Sequence, residues 1–173
     1  MFRSRRSISD TSFSSQSAGQ NCIGIELIVL PRQLLPRFLS LVEHRIKALR
    51  PGHDVGSLIS QQPIERLEKM LADAEKQGAK IVTGGKRYIH PDRPHAAYFQ
   101  PTLVIDATVQ MDIVKQELFA PVMTVLCYDT VDEGIAMVNS GRYGLGGSVF
   151  GNNKRECQRV AASLQCGMVS INE

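Results

Sequence analysis

The five segments between Pro121 and Asn172 constrain the fold more than any other part of the chain. "PVMTVLCYD" (121–129) is an apolar, β-branched run that reads as a buried strand. Thr130 and Glu133 fit the T-x-x-E capping box, and Val131, Ile135 and Val138 follow at helical spacing up to Gly141. "LGGSVFG" (145–151) is a second strand, residues 153–164 a second helix, and "GMVSIN" (167–172) a third strand. Strand–helix–strand–helix–strand at these spacings predicts a mostly parallel sheet flanked by helices. The fold class is therefore α/β.

The preceding half fits the same class. "IELIVL" (25–30) is a short buried strand stopped by Pro31. Leu34, Leu35, Phe38, Leu41, Val42, Ile46 and Leu49 then recur at helical spacing. Ser60 is the expected cap of a further helix that buries Ile64, Leu67, Leu71 and Ala74 and stops at Gly78. "AKIVTGG" reads as strand and turn, and "KRYIHPDRPHAA" (86–97) as a polar, proline-containing loop. "YFQPTLVID" (98–106) contains a proline, which predicts an edge or irregular strand.

Residues 1–15 are different. The first 17 residues hold seven serines, three arginines and a single acid, Asp10, a composition that builds no core. They are expected to be a disordered leader, with one domain from Gln16 to Glu173. The same Arg- and Ser-rich start also suits a mitochondrial transit peptide. An intracellular, cytoplasmic chain is the reading preferred here.

Charge and cysteine content exclude several functions. The net charge of +3 is supplied by Arg3, Arg5 and Arg6; the other 17 basic residues balance the 17 acidic ones. No clustered basic footprint for nucleic acid remains. No apolar run is long enough to span a membrane. Cys22, Cys127, Cys157 and Cys166 form no C-x-x-C pair, so no metal site is predicted.

Two stretches have residue types suited to catalysis and binding. In "QSAGQNCIGIELIVLP" (16–31), Gly19 permits a tight turn, and the amides of Gln20 and Asn21 lie beside Cys22 at a loop-to-strand junction. Such a cysteine is either a nucleophile on the rim of a site or a small buried hydrophobe, and the residues alone leave both open. In "QELFAPV" (116–122), Glu117 and Phe119 precede a strand. A carboxylate there can accept hydrogen bonds from sugar hydroxyls while a ring packs on a flat heterocycle; the plainer reading is a surface acid and a core aromatic. "GGKRY" is too short for a phosphate loop. "YGLGGSVFG" opens a strand instead of following one, so its glycines are read as sites of close packing. Nothing in the spacing of His44, His53, His90 or His95 selects a partner for Cys22.

In order and spacing these motifs resemble the aldehyde dehydrogenase superfamily. "GQNC" before a strand resembles its catalytic-cysteine motif, and "QELFAPV" its E-[IL]-F-G-P-V motif, with Ala120 in place of Gly. "NSGRYGLGGSVFG" and "CGMVSIN" resemble its later segments, and "GQNCIGIE" with "GGKRYIHPD" looks closest to a fungal branch named for meiotic sister-chromatid recombination. The resemblance implies that Cys22 is the nucleophile, adding to an aldehyde to give a thiohemiacetal that becomes a thioester for water to hydrolyse. It implies NAD or NADP as cofactor, Glu117 on the nicotinamide ribose and Phe119 at the nicotinamide. Asn21 and Ile23 would line the substrate tunnel. Family members are homo-oligomers.

There are departures as well. The family's general base lies in an E-L-G-G-type segment before the cysteine, yet residues 1–21 contain no glutamate. Segments resembling the dinucleotide domain and the oligomerisation strand are not found. The sequence therefore predicts an incomplete catalytic domain with weak or no turnover by itself. A non-catalytic interaction module is the alternative.

Overall fold

The computed structural model describes residues 16–172, so the expected leader at 1–15 lies outside the described residues. The elements run β1 (Leu27–Pro31), α1 (Leu35–Ala48), α2 (Gln62–Lys76), β2 (Lys80–Thr83), β3 (Arg87–His90), β4 (Arg93–Phe99), β5 (Thr102–Ile105), a single turn α3 (Asp112–Lys115), β6 (Val122–Tyr128), α4 (Val131–Asn139), β7 (Gly146–Val149), α5 (Lys154–Ser163) and β8 (Met168–Ile171).

The main sheet is four-stranded, in the order β1-β6-β5-β2. β6 is parallel to both β1 and β5, and β2 is antiparallel to β5. Alternation along β6 accounts for the layers. Val122 and Leu126 face one core with Ile64, Leu67 and Leu71 of α2. Met123, Val125 and Cys127 face the other, with Val42 and Ile46 of α1. Both faces of β6 are thus covered, as a parallel strand requires.

Helix signals in the sequence were partly right. Thr130 Oγ1 accepts the Glu133 N–H at 3.3 Å, as the capping box predicts. Ser60 does not cap α2: its N-cap is Gln61, without a side-chain bond, and Pro63 in the first turn supplies the pre-set φ. Gly78, with φ 103°, follows the end of that helix as expected.

Three strand expectations need correction. The "loop" at 86–97 is mostly a hairpin, in which β3 pairs antiparallel with β4. Its polar residues point outward while Tyr98 is buried, with the His90 ring 5.4 Å from the Tyr98 ring between centroids. Pro94 is tolerated because a two-stranded ribbon leaves strand edges unpaired. The "edge strand" at 98–106 is split by Pro101 into β4 and β5, and β5 is interior with all four residues buried. Finally, β6, β7 and β8 do not share one sheet. β7 and β8 form a separate parallel pair, Gly146↔Met168 through Val149↔Ile171.

One hydroxyl in the core has no partner among the described residues. Thr124 Oγ1, on β6, is buried and accepts or donates no hydrogen bond. Removing such a group relieves its desolvation cost, so Thr124→Val is expected to raise stability by about 1 kcal/mol. Equilibrium denaturant unfolding checks this; a lower midpoint would show that the hydroxyl is satisfied in solution.

Candidate active site

The parallel pairing of β1 with β6 brings the two candidate stretches to one end of the sheet. The turn carrying Cys22 leads into β1 and the loop 117–121 leads into β6, and Leu27 stands opposite Thr124. Glu26 O accepts the Thr124 N–H at 2.9 Å where the ladder begins. The site therefore lies at the amino ends of the parallel strands.

Cys22 sits in a reverse turn closed by Gly24 N–H donating to Asn21 O at 2.9 Å. The Asn21 Oδ1 atom also accepts the Ile23 N–H at 3.2 Å, an Asx turn around the cysteine. Cys22 is exposed, so it is not the buried, inert cysteine that the sequence left open. Asn21 is half-buried and Ile23 is 49% exposed. A side chain at Gly146 would run into Ile23 Cδ1, so the glycine at the start of β7 makes room for that residue. The Gln20 amide does not lie free beside the thiol. Its Nε2 donates to Ser17 O at 3.0 Å and Ser57 O at 3.3 Å, and its Oε1 accepts the Ile59 N–H at 2.9 Å. It anchors the turn to the segment before α2.

The second loop is held from both sides. Glu117 is half-buried, and Phe119 is 37% exposed between the buried Leu118 and Ala120. Phe119 is therefore not a core aromatic. Its φ of 50° is the left-handed region that non-glycine side chains disfavour. Arg66 Nη2, from α2, donates to the carbonyls of Glu117 and Leu118, both at 3.1 Å. Glu26 accepts from the other side. The Leu118 N–H reaches its Oε2 at 2.9 Å, and the Phe119 N–H its Oε1 at 2.7 Å. Burial pushes the Glu26 carboxyl above the ordinary glutamate range; the two backbone N–H bonds pull it back in part, and Glu117 adds to the upward shift.

Gly19 joins the two stretches directly. Its φ is 76°, and a methyl group there would overlap the Ala120 carbonyl. Sequence reasoning pointed to Cys22, Asn21, Ile23, Glu117 and Phe119, and the structure gathers their segments at one end of the sheet. It did not single out Glu26 or Arg66. An acid at the mouth of an apolar strand was the available signal for Glu26; Arg66 gave none, because its targets are backbone carbonyls.

The arrangement offers an exposed thiol, a carboxylate with two acceptor oxygens, and an outward-facing ring. Those last two suit the hydroxyls of a ribose and the face of a heterocycle. Among the described residues no cluster of His, Cys, Asp and Glu suits a metal ion.

The chain is similar to known proteins over most of its length. The model of the aldehyde dehydrogenase family matches residues 7–173. An aldehyde dehydrogenase-like protein of Saccharomyces cerevisiae is 39% identical over 168 residues, which cover 91% of this chain and 26% of that relative. A succinate-semialdehyde dehydrogenase [NADP(+)] of Deinococcus radiodurans is 36% identical, covering 90% of this chain and 33% of the relative. Among solved structures, a betaine aldehyde dehydrogenase of Staphylococcus aureus in complex with NAD+ superposes with a TM-score of 0.86 at 32% identity. That match covers 94% of this chain and 34% of the other. The lactaldehyde dehydrogenase of Escherichia coli gives a TM-score of 0.86 at 28% identity, covering 97% of this chain and 35% of the other. The chain thus spans between a quarter and about a third of the length of the relatives it matches.

Two outcomes are expected from this geometry. Gly19→Ala strains a left-handed position and pushes on Ala120, so it should destabilise the chain by about 2 kcal/mol or more. It should also speed amide exchange at Leu118 and Phe119; a neutral effect on both would deny the contact. The second concerns pH. A carboxyl raised on folding means that the folded state binds more protons than the unfolded one, so stability falls as pH rises. The stability of the native chain relative to Glu26→Gln should therefore decline through the ordinary glutamate range and just above it. Urea titrations of both chains across that range measure the difference, and an opposite slope would reverse the sign assigned to Glu26.

Proposed function

Because this chain belongs to the aldehyde dehydrogenase family, we propose that it carries the covalent half of NAD(P)-dependent aldehyde oxidation, with Cys22 as nucleophile. The observation that supports this most directly is the exposed Cys22 turn, locked against the Glu117–Ala120 loop at the amino ends of β1 and β6.

In this reading the Cys22 sulfur, as thiolate, adds to the carbonyl carbon of an aldehyde. The carbonyl π pair moves to oxygen, which becomes the alkoxide of a thiohemiacetal. The Cys22 backbone N–H is the donor proposed for that charge, since the Ile23 and Gly24 N–H groups are engaged by Asn21. Loss of a hydride from the carbon leaves a thioester on Cys22. Water then attacks it, releasing a carboxylic acid and returning the thiol. Asn21 and Ile23 border the substrate beside the sulfur.

Glu117 and Phe119 are the residues proposed to hold the nicotinamide end of NAD or NADP. When bound there, that group supplies the acceptor for the hydride. The fit rests on chemistry visible in the chain: a half-buried carboxylate for ribose hydroxyls and a ring turned outward by a left-handed backbone. Glu26 has both oxygens engaged by backbone amides, so it is not the base in this reading. For the 173-residue chain by itself, capture at Cys22 with weak or absent turnover is the expectation. An intracellular, cytoplasmic location belongs to the same proposal. Four free cysteines are consistent with it.

The test uses an activated ester as a substitute for the acyl donor. Brief exposure to p-nitrophenyl acetate, followed by mass spectrometry of peptides, should find acetyl groups on Cys22 at least about tenfold faster than on the half-buried Cys166. Cys22→Ser should lose the fast phase of p-nitrophenol release. Equal labelling of the two cysteines would sink the nucleophile assignment.

A further inference from the structure

We propose that Glu26 is a positioning residue for this oxidation: its carboxylate holds the Leu118–Phe119 backbone in the conformation that presents Glu117 and Phe119 to the nicotinamide ribose. The proposal rests on the reading of Glu117 and Phe119 given above.

The geometry is specific. Glu26 Oε1 accepts from Phe119 N–H at 2.7 Å and from Leu118 N–H at 3.2 Å, while Oε2 accepts from Leu118 N–H at 2.9 Å. Two consecutive amides that converge on one anion form a small concave donor site, and here the anion is an internal side chain. The peptide that follows is strained. Phe119, at φ 50°, is a non-glycine residue in the disfavoured left-handed region. Charge-assisted bonds to both amides favour that conformation over its alternatives. The strain has a visible result: Leu118 and Ala120 point into the core, and Phe119 alone of the three faces outward.

Arg66 completes the clamp. It donates to the carbonyls of Glu117 and Leu118 while Glu26 accepts from the amides of Leu118 and Phe119. Both polar directions of the Leu118 peptide unit are therefore satisfied by opposite charges on two different elements, β1's lead-in and α2. The charged groups that act on Glu26 are Arg66, which favours its ionised form, and Glu117, which opposes it.

Two features separate this role from the alternatives. Glu26 is not placed to serve as a base, because both of its oxygens are engaged and protonation would break the bonds that hold the loop. Nor is it an ordinary surface acid, because its carboxylate is half-buried and both oxygens are bonded to amides some ninety residues away. A half-buried acid four residues after the exposed cysteine, bonded to the backbone of the adjoining loop, is placed to shape the site.

The test needs the isotopically labelled 173-residue chain, its Glu26→Gln variant and nicotinamide mononucleotide. Gln has one acceptor oxygen and turns an N–H donor toward the amides, so it keeps the size and loses the clamp. In the native chain the Leu118 and Phe119 amide proton shifts should move together with pH, at a midpoint above the ordinary glutamate value. In Glu26→Gln both should be flat. Nicotinamide mononucleotide should bind Glu26→Gln about tenfold more weakly than the native chain. Unchanged affinity in the variant would overturn the proposal, as would amides that fail to titrate in the native chain. The native titration needs no variant, so a Glu26→Gln chain that does not fold leaves it decisive. If the native chain shows no response to the mononucleotide at Glu117 or Phe119, the cofactor reading fails instead. The loop constraint is then judged by the Phe119 amide–Hα coupling in the variant: loss of the left-handed backbone supports it, and retention overturns it.

Discussion

The parallel ladder between β1 and β6 is the constraint on which the rest depends. Cys22 and Glu117 are far apart along the chain, and no local interaction brings them together. Pairing Leu27 with Thr124 in parallel puts the residues before both strands at the same sheet end. Because β6 is covered on both faces by separate cores, the ladder is hard to shift: a one-residue slip would turn Met123, Val125 and Cys127 into the space of Val122 and Leu126. Site geometry thus inherits its rigidity from ordinary hydrophobic alternation.

At that sheet end the backbone gives up local comfort. Ser17, Ala18 and Phe119 all have positive φ without being glycine, and Gly19 packs its backbone on Ala120. Such conformations persist only where the surroundings over-determine them. Here the surroundings are Gln20 reaching to residues 57–59, and Glu26 with Arg66 gripping the Leu118 peptide. Polar side chains bonded to backbone groups hold both loops. Ala18 and Leu118 also anchor the two segments in the core, while Ile23 and Phe119 face outward.

Much of this was legible in the residues. The helical period of Ile64, Leu67 and Leu71, the T-x-x-E cap at Thr130 and the glycine stop at Gly78 all correspond to observed features. The hairpin at 87–99 was not legible, because its inward residues are interrupted by polar ones and two prolines. Pro101 suggested an edge strand, yet it marks the break between strands of two different sheets. Glu26 looked like one acid at the head of an apolar run. Its importance depends on amides some ninety residues later, which no local pattern displays.

By itself, then, the sequence determined the α/β class, the helices and the motif positions, because periodicity, caps and turn residues act over a few residues. It also determined which side chains have the chemistry: a thiol before a strand, and a carboxylate and a ring before another. Only the tertiary structure decided strand order, the separation of β7 and β8 from the main sheet, and the exposure of Cys22 and Phe119. It alone turned Glu26 into a bridge between the two loops. The physical reason is that hydrogen bonds from a carboxylate to distant amides, and a glycine's approach to a distant carbonyl, exist only once the parallel ladder has closed the long intervening chain.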